Sequence, residues 1–147
     1  MKPLRQFVFL SLLAGLAAAT ALAAKPRVFA LTDIENEPDD AMSTVRFLTY
    51  ANHFDIEGLV ATTSIHQKNR VAPDRIRRIV AAYGKVRDNL EQHESGFPTG
   101  EQLLALVSEG LPRYGLEAVG AGHDSPGSEA LIRALDRDDA RPLWVPV

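Results

Sequence analysis

No cysteine occurs anywhere in the 147 residues. Disulfides are therefore excluded, and stability must come from an adequate core or from a bound metal. Basic residues are not in excess either: 16 Lys and Arg stand against 19 Asp and Glu, a formal charge of −3. A surface that takes up nucleic-acid phosphates needs a basic face, so nucleic acid is not an expected partner. The one basic cluster, Arg75, Arg77 and Arg78, lies within a helical pattern and reads as a solvated face. The glycine-rich stretch from Gly120 to Ser128 has neither the following lysine nor the glycine spacing of a phosphate-binding loop. Repeats and low-complexity segments are absent beyond the N-terminal residues.

Long apolar runs are also missing, with one exception at the start. Lys2 and Arg5 precede an almost wholly apolar stretch from Phe7 to Ala19, and Ala21-Leu22-Ala23 offers a small-x-small cleavage site. The run is short for a membrane span, and the pattern is that of a secretory signal peptide over residues 1–23. Residues 24–147 then form the mature chain, secreted or periplasmic, with no membrane association after cleavage. The composition, 46% hydrophobic and 24% charged, suits one soluble globular domain.

What the sequence does have is an acidic turn, Thr32-Asp33-Ile34-Glu35-Asn36-Glu37-Pro38-Asp39-Asp40-Ala41, set directly after the apolar Val28-Phe29-Ala30-Leu31. Clustered carboxylates are oxygen ligands that suit a hard cation, calcium or magnesium. Asn36 is the expected N-cap and Pro38 the first helical residue, which puts Asp39 and Asp40 in the first turn, where the helix dipole favours negative charge. Successive helical residues point about 100° apart, so the two aspartates face different ways. The dipole alone would explain acidic residues there. The position of Asp33 at the end of a strand adds something more, because ligands bind at the carboxyl ends of strands in open parallel sheets.

The expected fold class is α/β, an open and mostly parallel sheet with flanking helices. Arg27 to Leu31 reads as a buried strand and Ile56 to Thr63 as a second. Between them lies a helix with Ala41, Val45, Leu48 and Ala51 on its inner face, and a right-handed parallel unit follows from that order. Ser64 to Ala72 is a polar loop at the same sheet edge as the acidic turn, holding His66, Gln67, Lys68 and Asn69. Pro73 opens a long helix with Ile76, Ile79, Val80, Tyr83, Val86 and Leu90 inward. Thr99-Gly100-Glu101-Gln102 has the form of a capping box and predicts a short helix through Leu103, Leu104 and Val107 to Gly110. Gly115 to Gly127 is either a flexible connection or a loop covering a site, with Ser125 capping a helix from Pro126. Leu143-Trp144-Val145 reads as a third strand.

The acidic turn resembles the start of the nucleoside-hydrolase family, in which a strand is followed by an aspartate-rich loop ending in Asp-Asp-Ala and a helix. Thr32 to Ala41 is more similar to a secreted bacterial branch with a nucleoside-hydrolase-like domain, some members of which are described as cellulose-binding. The similarity extends through Phe54 to Ser64, Asp124 to Ser128 and Arg141 to Val145. It implies a nucleoside-hydrolase-like fold and a calcium cofactor. Asp33 would bind calcium and help activate water, Asp40 would bind calcium, and Asp39 would bind sugar hydroxyls. Asn69 and Asp124 would be peripheral substrate contacts.

The departures from ordinary nucleoside hydrolases are specific. Leu31 stands where their first aspartate does, no glycine lies in the turn, and the loop is longer. The family's later metal ligands and leaving-group histidine would fall past Val147. Pro146-Val147 also departs from the Trp-Gly-Gly segment of the branch, which suggests truncation or a frameshift and an N-terminal part of a larger domain. The expected function is hydrolysis of an N- or O-glycosidic bond in a small sugar, nucleoside-like ligand or polysaccharide with bound calcium. The alternatives are a carbohydrate-binding protein of the same fold without turnover, and an inactive fragment.

Overall fold

The computed structural model describes residues 24–147, so the signal peptide assigned to residues 1–23 lies outside the described residues. Arg27–Thr32 forms β1, Pro38–Leu48 α1, Asp55–Ala61 β2, Pro73–Glu91 α2, Gly100–Leu104 α3, Val107–Glu109 β3, Pro126–Leu135 α4 and Leu143–Trp144 β4. The strands make one sheet in the order β3-β2-β1-β4, and every pairing is parallel. Helices cover both faces, which is why β1 and β2 are nearly continuous apolar runs. Leu59 and Ala61 pack with Leu48, Ile76, Val80 and Leu103 on one side, while Phe29 and Val60 pack with Ala134 of α4 on the other.

The sheet has one strand more than the sequence pattern predicts. The capping box at Thr99 is present, with the Gln102 N–H donating to Thr99 Oγ1 at 3.1 Å. However, the helix ends at Leu104 rather than running to Gly110, and Val107 belongs to β3. Tertiary pairing overrides the local helix signal here. Leu59 N–H donates to Leu106 O at 3.1 Å and Gly110 N–H to Ala61 O at 2.9 Å, giving the backbone of β2 partners that a longer helix would have withheld. Two inward assignments also change: Val45 and Val86 are 50% and 46% exposed. Arg87 instead spans the inner side of α2, with Nη2 donating to Phe97 O at 3.0 Å.

Two glycines are required by close approach. Between Val28 and Phe29 the β1–β2 register slips, so that Val28 faces Ile56 but Phe29 faces Gly58. The Phe29 ring lies across Gly58, where a Cβ would come within 2.2 Å of Phe29 Cε2. At Gly127 a Cβ would meet Val60 Cγ1 at 2.6 Å and Glu109 O at 2.9 Å, so this glycine lets the start of α4 sit directly on β2 and β3.

The residue skipped by the register slip is Glu57, and its carboxylate anchors an ion-pair network at the amino rim of the sheet. Arg27 grips it through Nε at 2.5 Å and Nη2 at 3.0 Å, with both side chains almost fully buried. Arg137 Nη1 reaches the same carboxylate at 2.7 Å. Beside it, Arg141 bonds Asp139 and also donates to Asp55 Oδ2 at 2.8 Å. The bidentate pair of hydrogen bonds that Arg27 donates to Glu57 raises the Arg27 pKa against the effect of burial. The Arg141 side-chain and backbone donors hold the Asp139 carboxyl well below the usual carboxylate range. This network ties the segment after α4 to the first residues of β1 and β2, at the rim opposite the carboxyl ends of the strands.

Candidate functional site

At that carboxyl rim β1 ends at Thr32 and the chain turns through Asp33 to Asn36, closed by the Asn36 N–H donating to Asp33 O at 3.0 Å. Asn36 lies within this turn, one residue before the helix cap, and is not the cap itself. The N-cap is Glu37, in an extended conformation at φ −130° and ψ 157°, followed by Pro38 at the first helical position. The Glu37 N–H donates to Asp40 Oδ2 at 3.0 Å, so Asp40 satisfies an otherwise orphaned donor at the start of α1.

Asp33 and Asp40 line the same cavity, of 390 Å³, between the end of β1 and the first turns of α1. Ser43 and Thr44 add hydroxyls, and Leu59 and Phe47 contribute apolar wall. Asp39 is exposed and does not line this cavity, consistent with the angular separation of adjacent helical residues. Asn69 is exposed on the neighbouring loop, and Asp124 is exposed just before Ser125, which caps α4 by accepting the Ser128 N–H at 3.1 Å. The structure thus places Asp33 and Asp40 on the wall of one cavity and leaves Asp39, Asn69 and Asp124 outside it.

All polar side chains of the cavity offer oxygen, the donor type a hard cation takes, so the set fits calcium in kind. Among the described residues no group of three or more His, Cys, Asp or Glu side chains is placed to hold a metal ion. Glu35 does not join the aspartates. Its backbone is in the left-handed region at φ 76°, and its carboxylate pairs with Arg70 at 3.4 Å and Arg78 at 3.1 Å. Arg78 is thus more than part of a solvated face. Nothing in the spacing of the sequence announces a pair 43 residues apart between the acidic turn and α2.

The family described as "Cellulose-binding Sde182, nucleoside hydrolase-like domain" matches residues 27–147. The chain belongs to this family. Its α/β architecture is that of a nucleoside-hydrolase-like domain, as the acidic turn leads one to expect. A solved structure, a nucleoside hydrolase-related hypothetical protein from Saccharophagus degradans associated with carbohydrate metabolism, superposes with a TM-score of 0.80 at 40% sequence identity. That match covers 83% of this chain but 30% of the other, so the chain spans under a third of its relative's length. No curated protein matches. The four parallel strands and flanking helices are therefore a portion of the relative's fold, and the acidic turn lies within the matched family domain.

Proposed function

We propose that the chain supplies the sugar-facing rim of an exported, nucleoside-hydrolase-like domain that acts on N- or O-glycosidic bonds with a bound calcium ion. The observation that carries this reading is the cavity shared by Asp33 and Asp40 at the carboxyl rim of a parallel sheet. Two carboxylates facing one small space repel each other unless a cation sits with them. Asp33 and Asp40 would hold that ion, with hydroxyl, carbonyl and water oxygens completing the shell. Bound calcium supplies Lewis acidity toward water and sugar oxygens.

The remaining work falls to side chains. Asp33 takes the proton of the attacking water as general base. Asp39, exposed one residue before Asp40, accepts hydrogen bonds from sugar hydroxyls, and Asn69 and Asp124 make outer contacts with the ligand. The apolar wall at Phe47 and Leu59 limits access of bulk water to the floor of the cavity. The ligand is a small sugar, a nucleoside-like molecule or the end of a polysaccharide. Export to the periplasm or exterior rests on the basic start, apolar run and Ala21-Leu22-Ala23 site.

A second reading, carbohydrate binding without turnover, is favoured by one specific observation: only two carboxylates share the cavity among the described residues. The family's cellulose-binding description supports it equally. Calcium calorimetry with the full chain and with Asp40→Asn, a reducing-sugar assay on nucleosides and glycosides, and retention on cellulose distinguish the two. Hydrolysis requires calcium uptake lost in the variant together with sugar release. Retention on cellulose with no release supports binding alone, and unchanged affinity in Asp40→Asn removes the metal assignment.

A further inference from the structure

We infer that Gln67 is a positioning residue that presets the Asp33 turn, an inference resting on the reading of Asp33 as a site carboxylate. Gln67 lies in the loop between β2 and α2 and is only 5% exposed. Its Nε2 donates to Asp33 O and to Ile34 O, both at 3.3 Å. Arg70, from the same loop, donates through Nη2 to Glu35 O at 3.0 Å. Three successive carbonyls of the acidic turn are thus held by side chains of one seven-residue loop, Ser64 to Arg70, while Asp33 lines the cavity with Asp40.

The loop is built to present that amide. Ser64 Oγ accepts the N–H groups of His66 and Gln67, each at 3.1 Å, and Ser64 N–H donates to Gln67 O at 3.1 Å, closing a tight turn beneath the side chain. Gln67 Oε1 is buried and has no hydrogen-bond partner among the described residues. An unpaired buried acceptor is unfavourable. A glutamine that carries one is held there by what its NH2 group does, which is to fix the carbonyls of Asp33 and Ile34. Glu35, the next residue, sits in a backbone conformation that few non-glycine residues adopt, and the Arg70 and Arg78 contacts hold it there.

The test compares the wild-type full chain with Gln67→Met, which is isosteric but donates nothing, and Gln67→Asn, which keeps the amide but is one methylene too short. Tyr83→Phe, which loses a hydrogen bond to Pro98 O remote from the rim, controls for general destabilisation. Local hydrogen exchange and calcium calorimetry are the readouts. Both Gln67 variants are expected to speed exchange of the amides of residues 33–37 and to weaken calcium binding about tenfold relative to the control, the size of losing one to two hydrogen bonds. Exchange that is unchanged, or that rises evenly along the chain as in Tyr83→Phe, overturns the inference. If the wild-type chain takes up no calcium, the metal reading fails, and exchange in the turn alone decides the role of Gln67.

Discussion

Asp40 carries two roles that a pair of substitutions separates. It accepts the Glu37 N–H at 3.0 Å and so caps α1, and it faces the cavity with Asp33. Asp40→Asn keeps a carbonyl oxygen for the cap and removes only the charge. The lost interaction with the helix dipole costs about 0.3–1 kcal/mol. Asp40→Ala also removes the cap, for about 0.5–2 kcal/mol in all. Each kcal/mol moves the melting midpoint of a domain this size by roughly 4 °C. In chelator, therefore, Asp40→Asn should melt within about 4 °C of wild type, and Asp40→Ala should melt lower. Metal affinity behaves differently, because a charged contact is worth about 1.5–3 kcal/mol, so both variants should lose ten- to hundredfold or more in calcium affinity. The stabilisation that saturating calcium gives the wild type should shrink in both, by about 1.4 kcal/mol for each tenfold loss of affinity. Thermal melts with and without calcium, paired with calorimetry, provide the measurement. A calcium-induced rise in melting temperature that is undiminished in Asp40→Asn would refute the metal argument, and equal melting of the Asn and Ala variants in chelator would refute the capping argument.

Other expected outcomes concern the frame that holds the rim. Gly58→Ala places a Cβ within 2.2 Å of the Phe29 ring and should destabilise by about 1–3 kcal/mol or more, read as a lower melting midpoint. Gly84→Ala, whose Cβ would meet only Gly100 Cα at 3.7 Å, should instead raise the midpoint, since alanine is favoured over glycine within a helix by about 0.5–1 kcal/mol. Thr99→Ala should cost about 1 kcal/mol through loss of the α3 cap, measured by denaturant titration. Acid sensitivity has a definite sign. The Glu91 carboxylate is held low by the Gly96 and Phe97 N–H donors, and Asp139 is held low by Arg141. Both contributions are complete above the ordinary carboxylate range near about pH 4 and are lost as pH falls through and below it. The melting midpoint should therefore fall steeply below that pH, and Asp139→Asn should flatten the fall.

The parts of the fold legible in the sequence are those set by short-range chemistry. The apolar run of β1, the capping box at Thr99 and the Ser125 cap appear where the local pattern puts them. So does Pro38 at the first position of α1. Errors arise where a distant partner outweighs a local signal. Val107 continues an apolar helical spacing, yet β2 needs a hydrogen-bonding neighbour and draws it into β3. Asn36 is a good cap by residue type, yet its N–H closes the turn on Asp33 and the cap passes to Glu37. Arg27 opens what reads as an apolar strand, and only the folded chain gives its guanidinium the buried carboxylate of Glu57.

The candidate site divides in the same way. By itself the sequence determined that carboxylates cluster after a buried strand, because the strand-to-helix turn is a contiguous segment whose residue types fix its geometry within a few ångströms. It also pointed to the family, through that segment together with Phe54 to Ser64, Asp124 to Ser128 and Arg141 to Val145, and the family match over residues 27–147 bears this out. Only the tertiary structure decided which carboxylates share a cavity. Asp33 and Asp40 meet across a turn in one cavity, whereas Glu35 is drawn away by two arginines of a loop and helix far along the chain. The amide of Gln67 meets the Asp33 carbonyl across 34 residues of sequence. Hydrogen bonds and ion pairs depend on approach within a few ångströms, and for residues so far apart in the chain that approach exists only once the sheet has aligned β1 beside β2.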